Sequence, residues 1–222
     1  MKPVSEDNNF VYLVVSLVIL LLAGALVEQF PGALGQQILQ AVTVITLGSA
    51  IVGFRSSSLR IRTGIGFTVS VLVIVILGVL LDEAGMSYLH LFVLILFYIW
   101  ATWLAAKQVL FTGPVDGNKI VGAICIYLLI GLIWSLLYLF LAQTIPGAFK
   151  GLEQAVWYDN FADVAYYSFV TLTALGYGDI SPVSPVARFL AYMEAIVGVF
   201  YMAILVASLV GVRISTLHSR KD

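Results

Sequence analysis

Six near-continuous apolar runs divide the chain, and they constrain its fold more than any other feature. They cover residues 10–27, 38–54, 64–81, 88–106, 120–142 and 189–212. Each has about the length of a helix that crosses the hydrocarbon core, roughly 17 to 25 residues. With 61% hydrophobic and 10% charged residues, the chain has too little polar surface to coat a soluble globule. The sequence therefore predicts an all-α membrane protein with six transmembrane helices.

The basic residues predict the orientation of these helices. With the N-terminus inside, nine of the eleven lysines and arginines lie in cytoplasmic segments, as the positive-inside rule requires. The nine are Lys2, Arg55, Arg60, Arg62, Lys107, Lys119, Arg213, Arg220 and Lys221, and only Lys150 and Arg188 lie outside. We expect a multi-pass protein of the cell (inner) membrane with both termini cytoplasmic. The acidic start of the chain does not resemble a cleavable signal, so the first run is expected to be a retained span.

Two polar linkers, at residues 55–62 and 107–119, indicate the domain organisation. The second contains a Gly-Pro and an Asp-Gly turn signal, and we place the boundary there. Residues 1–112 are then a four-helix transmembrane unit, and residues 113–222 are a unit of two spans. Between those two spans, residues 161–175 are too short and too interrupted to cross the membrane. They could enter it and return where protein or water surrounds their backbone.

The stretch DNFADVAYYSFVTLTALGYGDI, residues 159–180, predicts a short helix followed by an irregular strand. Asp159 or Asn160 can cap the helix, and Asp163 suits its first turn. The negative end of this helix would point toward the membrane centre, where it favours a cation. Beyond it, Gly176 and Gly178 permit unusual backbone angles, so alternating residues can turn successive carbonyl oxygens to one side. A ladder of carbonyls can replace the water shell of a dehydrated cation.

Residues 173–179, TALGYGD, resemble the selectivity filter of tetrameric potassium channels, usually written TTVGYGD. The resemblance runs from roughly Ile120 to Arg213, and YYSFVTLTALGYGDISPVSPVAR is similar to the bacterial six-transmembrane members. The first four spans match only in number. One filter strand cannot enclose an ion, so several chains must surround an axis, and the resemblance implies a homotetramer. It implies K⁺ ions in the filter and no organic cofactor.

The resemblance also implies which atoms hold the ions. K⁺ would be bound by the backbone carbonyls of Ala174, Leu175, Gly176 and Tyr177, and the ion-binding segment would run from Thr173 to Gly178. The family nearly always has threonine at the position of Ala174, where the hydroxyl supplies the innermost site. We therefore expect a potassium-selective channel with a weaker innermost site. The alternative is a weakly selective monovalent cation channel.

Several side chains are expected to support this segment. Tyr177 would point away from the axis, with its hydroxyl braced by Thr171 or by the pair Tyr166 and Tyr167. Aromatic residues also collect at membrane interfaces, and an aromatic belt is the alternative for that pair. Asp179 is expected to shape the outer mouth.

Glu194 is the carboxylate that lies well inside a predicted span, where a charge must be neutralised or paired. We expect it to bond to the short helix through Ser168 or Thr171. That bond would either support the filter or be purely structural.

The last span should begin with Ser184 as N-cap and Pro185 at the first helical position. In the register of the family, the cavity lining and gate would be formed by Val199, Met202, Val206 and Val210. An ordinary lipid-facing or packing stripe on the same helix is the alternative. Gly198 lies where many relatives have a hinge glycine, although glycine also serves close helix packing.

The fourth span contains no arginine, whereas steep voltage gating needs several charges per subunit. We therefore expect no conventional voltage sensor. His90, near the outer end of this span, could respond to pH, but solvation at the interface is the plainer expectation.

Other function classes fit the sequence less well. Histidine, cysteine and paired carboxylates do not cluster at catalytic or metal-ligand spacing, so an enzyme is not expected. The net charge of -1 does not favour nucleic acid, and no soluble protein partner is implied, which leaves membrane lipid beside the homotetramer. A third hypothesis is a ligand-sensing membrane protein whose pore unit does not conduct.

Overall fold

The computed structural model describes residues 9–27, 33–53, 58–81, 84–111, 117–153 and 155–218. In these residues it contains seven helices and two short strands. They are α1 (Asn9–Val27), α2 (Ala33–Gly53), α3 (Ser58–Leu81), α4 (Ala84–Phe111), α5 (Gly117–Thr144), β1 (Phe149–Lys150), α6 (Phe161–Leu172), β2 (Ser181–Pro182) and α7 (Pro185–His218). All helices except α6 are long and apolar enough to cross a membrane. The prediction of an all-α membrane protein with six transmembrane helices is confirmed.

The helices extend beyond most of the predicted apolar runs. For example, α4 covers Ala84–Phe111, whereas the fourth run covers only residues 88–106. A helix satisfies its own backbone hydrogen bonds, so it continues into the interface where polar side chains reach water. The short helix α6 instead ends at Leu172, three residues before the end of the predicted segment.

The first four helices and the last three share one hydrophobic core. The core contains Leu13 of α1, Phe97 and Tyr98 of α4, and Leu129 of α5, all nearly inaccessible to solvent. A methyl group added to Gly24 of α1 would lie 2.6 Å from a ring carbon of Phe161, the first residue of α6. The division into residues 1–112 and 113–222 stays a prediction, but helices on both sides of it pack together within the chain.

Strands β1 and β2 join the two loops that flank α6. They pair antiparallel, with Phe149 opposite Pro182 and Lys150 opposite Ser181. Directly after β2, the hydroxyl of Ser184 accepts the backbone N–H of Ala187 at 3.2 Å, and α7 begins at Pro185. The predicted start of the last span is confirmed. The pairing holds the chain on both sides of α6 at fixed positions.

Candidate functional site

Helix α6 positions the candidate site. Asn160 occupies its N-cap position, as one of the two predicted alternatives, but its side chain makes no capping hydrogen bond. The Asn160 amide nitrogen instead donates to the carbonyl of Glu153 at 2.9 Å and holds the preceding loop. Asp163 lies in the first turn, where burial raises its pKa and the negative charges of Glu153 and Asp179 add to the rise. The N-terminal end of α6 is therefore an acidic region.

The backbone leaves the helical path immediately after α6. Thr173 caps the helix, and its hydroxyl donates to the carbonyl of Phe169 at 2.6 Å. The N–H of Ala174 bonds to the carbonyl of Thr171 at 2.9 Å, and that of Leu175 bonds to the carbonyl of Val170 at 3.0 Å. The first amides of the TALGYGD segment thus bond back to α6. Among the described residues, no backbone N–H donates to a carbonyl of this segment.

The TALGYGD segment alternates between two backbone conformations. Ala174, Gly176 and Gly178 have φ of +58°, +62° and +82°, whereas Leu175 and Tyr177 do not have positive φ. A strand that alternates in this way turns successive carbonyls to the same side. The two glycines predicted this geometry, but sequence reasoning missed Ala174. A residue with a Cβ atom pays about 1–2 kcal/mol in the left-handed region, so alanine gives no signal for it.

Tyr166 contacts two residues near the end of this segment. Its ring stacks on Tyr177 with the centroids 6.3 Å apart and the planes 6° from parallel. Its hydroxyl donates to Oδ2 of Asp179 at 2.6 Å, while the N–H of Ile180 donates to Oδ1 at 2.9 Å. The bond from Tyr166 lowers the pKa of Asp179, and the Ile180 amide contributes to the same shift. Within one protomer, Tyr166 therefore braces Tyr177 through its ring.

The other two residues expected to support Tyr177 have different contacts in the protomer. Tyr167 is buried, and its ring meets Tyr138 and Phe149 edge to face at 5.0 Å and 5.5 Å. The hydroxyl of Thr171 donates to the Tyr167 carbonyl at 2.8 Å within α6. Tyr167 lies in the protein interior, so an interfacial aromatic belt does not describe it.

Glu194 of α7 lies behind the end of α6 and is fully buried. Ser168 Oγ lies 2.6 Å from Oε1, and the hydroxyl of Tyr138 lies 2.6 Å from Oε2. Of the two expected partners, Ser168 makes the contact. Sequence reasoning missed Tyr138 of α5, although a tyrosine in an apolar span needs a partner for its hydroxyl when buried.

Gly198, one helical turn after Glu194, brings the backbones of α6 and α7 together. A methyl group here would overlap the carbonyl oxygen of Leu172, the last residue of α6. This close approach favours packing over a hinge.

Val199 and Met202, two of the predicted cavity-lining residues, are 57% and 45% exposed, so neither is buried by its own chain. The side chains of Val206 and Val210 lie outside the residues whose surroundings the structure describes.

The expectation that His90 is solvated is wrong. The side chain is only 4% exposed, and its ring stacks on Trp157 with the centroids 5.0 Å apart. Among the described residues, His90 Nε2 has no hydrogen-bond partner. The loop that precedes α6 folds over this end of α4, a contact that no local sequence pattern indicates.

The described residues contain no group of three or more histidines, cysteines or carboxylates that could hold a metal ion.

Comparison with protein families gives a match to the part of the chain that contains this site. Residues 122–213 match a family model described as ion channel, and they contain α6, the TALGYGD segment and Glu194. The match covers about two fifths of the chain and favours passive ion conduction over enzymatic chemistry. No curated protein and no solved structure matches the chain.

Proposed function

We propose that the chain forms a potassium-selective channel in which four protomers surround one axis in the cell (inner) membrane. Each protomer contributes one TALGYGD segment, and K⁺ passes down its electrochemical gradient between the carbonyls of residues 174–177. Both termini are cytoplasmic in this arrangement. The observation that carries the proposal is the alternation of φ at Ala174, Gly176 and Gly178, directly after the C-terminal end of α6.

The electrostatics of α6 suit a cation at this place. The C-terminal end of a helix carries roughly half a negative elementary charge, and four such ends would face one axis. Asp179, with its lowered pKa, adds a carboxylate at the far end of the segment. Both ends of the proposed filter therefore favour positive charge, while the carbonyls between them replace lost water ligands.

The exposure of the segment supports assembly. Leu175 and Tyr177 are 61% and 67% exposed in one protomer, and every residue from 173 to 179 is exposed. Irregular backbone at membrane depth is tolerated only where protein or water covers it. Neighbouring protomers supply that cover, and a water-filled axis supplies the rest.

Helix α4 does not support gating by a conventional voltage sensor. The described part of α4 contains no arginine, and its lysine, Lys107, lies over the ring of Trp103 at 4.9 Å. Moving one charge through the membrane yields about 2.3 kcal/mol per 100 mV, so steep gating needs several charges. The proposed channel is therefore not gated by a conventional voltage sensor.

The second candidate is a weakly selective monovalent cation channel, and Ala174 favours it. The methyl group of Ala174 brings no oxygen ligand to the inner end of the segment. Replacing it, as Ala174→Thr, adds one hydroxyl per protomer and should sharpen the preference for K⁺ over Na⁺. The added β-branched side chain has to accept a φ of +58°, so a lower thermal stability is expected to accompany the gain.

Flux in liposomes tests the proposal. Purified protein is reconstituted in vesicles, K⁺ efflux is calibrated with valinomycin, and the measurement is repeated with Na⁺. We expect K⁺ flux to exceed Na⁺ flux. Gly176→Val should lower it strongly. At Ala174 the structure already holds a residue with a Cβ atom at positive φ, whereas Gly176, at a φ of +62°, would gain both a Cβ atom and β-branching.

Gly48→Val is the matched control. A Cβ atom added at Gly48 meets nothing within 4 Å, and the residue lies in regular helix α2, so K⁺ flux should persist. Equal fluxes of K⁺ and Na⁺ would establish the weakly selective channel instead. Absence of flux in intact tetramers under all conditions would contradict conduction itself.

A further inference from the structure

We infer that Glu194 carries a proton, and that this proton completes a hydrogen-bond chain that joins α5, α6 and α7 behind the TALGYGD segment. Glu194 is then a positioning residue for the filter. That last role rests on the proposed function, whereas the proton itself follows from the contacts alone.

Four oxygen-bearing groups form this chain. Tyr138 Oη lies 2.6 Å from Glu194 Oε2, and Ser168 Oγ lies 2.6 Å from Glu194 Oε1. Ser168 Oγ also lies 2.8 Å from the backbone carbonyl oxygen of Gly131 in α5. All three distances are those of O–H···O hydrogen bonds, so each contact needs a hydrogen atom between its two oxygens.

The side chains other than Glu194 supply only two of the three hydrogen atoms. The hydroxyls of Tyr138 and Ser168 carry one each, and neither a carbonyl nor an ionised carboxylate carries any. With Glu194 ionised, Ser168 has one hydrogen atom for two acceptors, Glu194 Oε1 and the Gly131 carbonyl. In one of these two contacts, two oxygens would then face each other with no hydrogen atom between them. A proton on Oε1 removes this conflict. Tyr138 then donates to Oε2, Glu194 donates to Ser168, and Ser168 donates to Gly131.

The surroundings of Glu194 fit the neutral form. The titratable groups that face it are the tyrosines Tyr127 and Tyr138 of α5 and Tyr167 of α6. Among the described residues, none of the groups that face it is a lysine, arginine or histidine. A fully buried carboxylate without a counter-ion is costly when ionised, whereas a carboxylic acid with every oxygen bonded is not.

The hydrogen-bond chain around Glu194 lies where it can hold the proposed filter in position. Ser168 is one helical turn before Leu172, and Glu194 is one turn before Gly198, whose backbone touches the Leu172 carbonyl. Helices α6 and α7 are therefore joined at two successive turns, and the first residue of the TALGYGD segment with positive φ, Ala174, follows two residues after Leu172. Tyr127 donates to the same Leu172 carbonyl at 3.4 Å. Loss of the proton from Glu194 would weaken the first of these two contacts, the one between Ser168 and Glu194.

Infrared spectroscopy tests the proton without reference to transport. The protein in detergent or liposomes should show the carbonyl stretch of a protonated carboxylic acid at neutral pH, and this band should disappear in Glu194→Gln. Ser168→Ala removes one bond to the acid and should shift the band to higher frequency. If the wild-type protein has no such band, or if Ser168→Ala leaves it unmoved, the inference is wrong.

Ion flux tests the positioning role. In Glu194→Gln the amide nitrogen can donate to Ser168 and the amide oxygen can accept from Tyr138, so K⁺ flux should be retained. Glu194→Ala leaves the buried hydroxyl of Tyr138 without its acceptor and cuts the link from α7 to Ser168, which keeps only its bond to Gly131, so flux should fall roughly tenfold. On alkalinisation, wild-type flux should fall while Glu194→Gln flux stays constant.

The two hypotheses can fail separately. An acid band in a protein that conducts no ions would leave the proton assigned and reject the proposed channel. Flux that is selective for K⁺ but equally sensitive to alkali in wild type and Glu194→Gln would reject the positioning role.

Discussion

The hydroxyl of Tyr166 donates to the carboxylate of Asp179 at 2.6 Å, while its ring stacks on Tyr177, two residues before that carboxylate in the chain. One side chain of α6 thus holds the end of the TALGYGD segment through a polar bond and an apolar contact. The two interactions can be separated by mutation.

Tyr166→Phe keeps the ring and removes the bond to Asp179. The pKa of Asp179, which this bond holds below its ordinary value of 3.8, should rise toward that value. Because the pKa is lowered in the folded protein, the bond stabilises the Asp179 end of the segment above pH 3.8 and is lost as the pH falls through the lowered pKa. In the variant, Asp179 should become protonated at a higher pH, and the remaining bond from the Ile180 N–H to its carboxylate should weaken there. Carbon-13 NMR of labelled aspartate measures the shift, with Tyr192→Phe as the control.

Gly198→Ala should destabilise the protein by about 1–3 kcal/mol, the usual cost of overpacking. The added methyl group would overlap the Leu172 carbonyl oxygen, so α7 has to move away from α6. Thermal unfolding of the purified protein measures the effect. Gly48→Ala is the control, because its methyl group meets nothing and alanine favours helix by about 1 kcal/mol. Equal stability of the two variants would show that the close approach does not exist.

His90→Phe should stabilise the protein by about 1–3 kcal/mol, because it removes a buried nitrogen without a partner among the described residues. The new ring can keep the stacking on Trp157. His90→Ala removes that ring as well and should destabilise. Thermal unfolding compares the three proteins, and a phenylalanine variant less stable than the wild type would reveal a polar partner for the imidazole.

The features that the sequence predicted are those that local physics determines. The thickness of a bilayer sets the length of an apolar run, and Ser184 followed by Pro185 is a local helix start. The buried chain around Glu194 was predicted only in part. Tyr138 lies 56 residues from Glu194 in the chain, so tertiary packing alone brings them together. The burial of His90 depends in the same way on the distant Trp157.

Ala174 is a different case, because local preference gives the wrong answer there. Alanine favours negative φ, and only the neighbouring backbone, with α6 ending at Leu172 and Gly176 two residues later, holds it at +58°. Such strain persists where the surrounding structure over-determines it, and it often marks a functional segment. The sequence therefore did not predict the positive φ of Ala174, although Gly176 and Gly178 predicted the unusual backbone of the residues that follow it.

The contact between Gly24 and the ring of Phe161 has a consequence for biogenesis. Helix α1 leaves the ribosome and enters the bilayer long before α6 is translated. Its face toward α6 must therefore stay in contact with lipid until the last helices are inserted, and these helices displace that lipid when they dock. The chain therefore completes its tertiary structure only after its synthesis has passed α6, and removing α1 would take away a surface on which α6 docks.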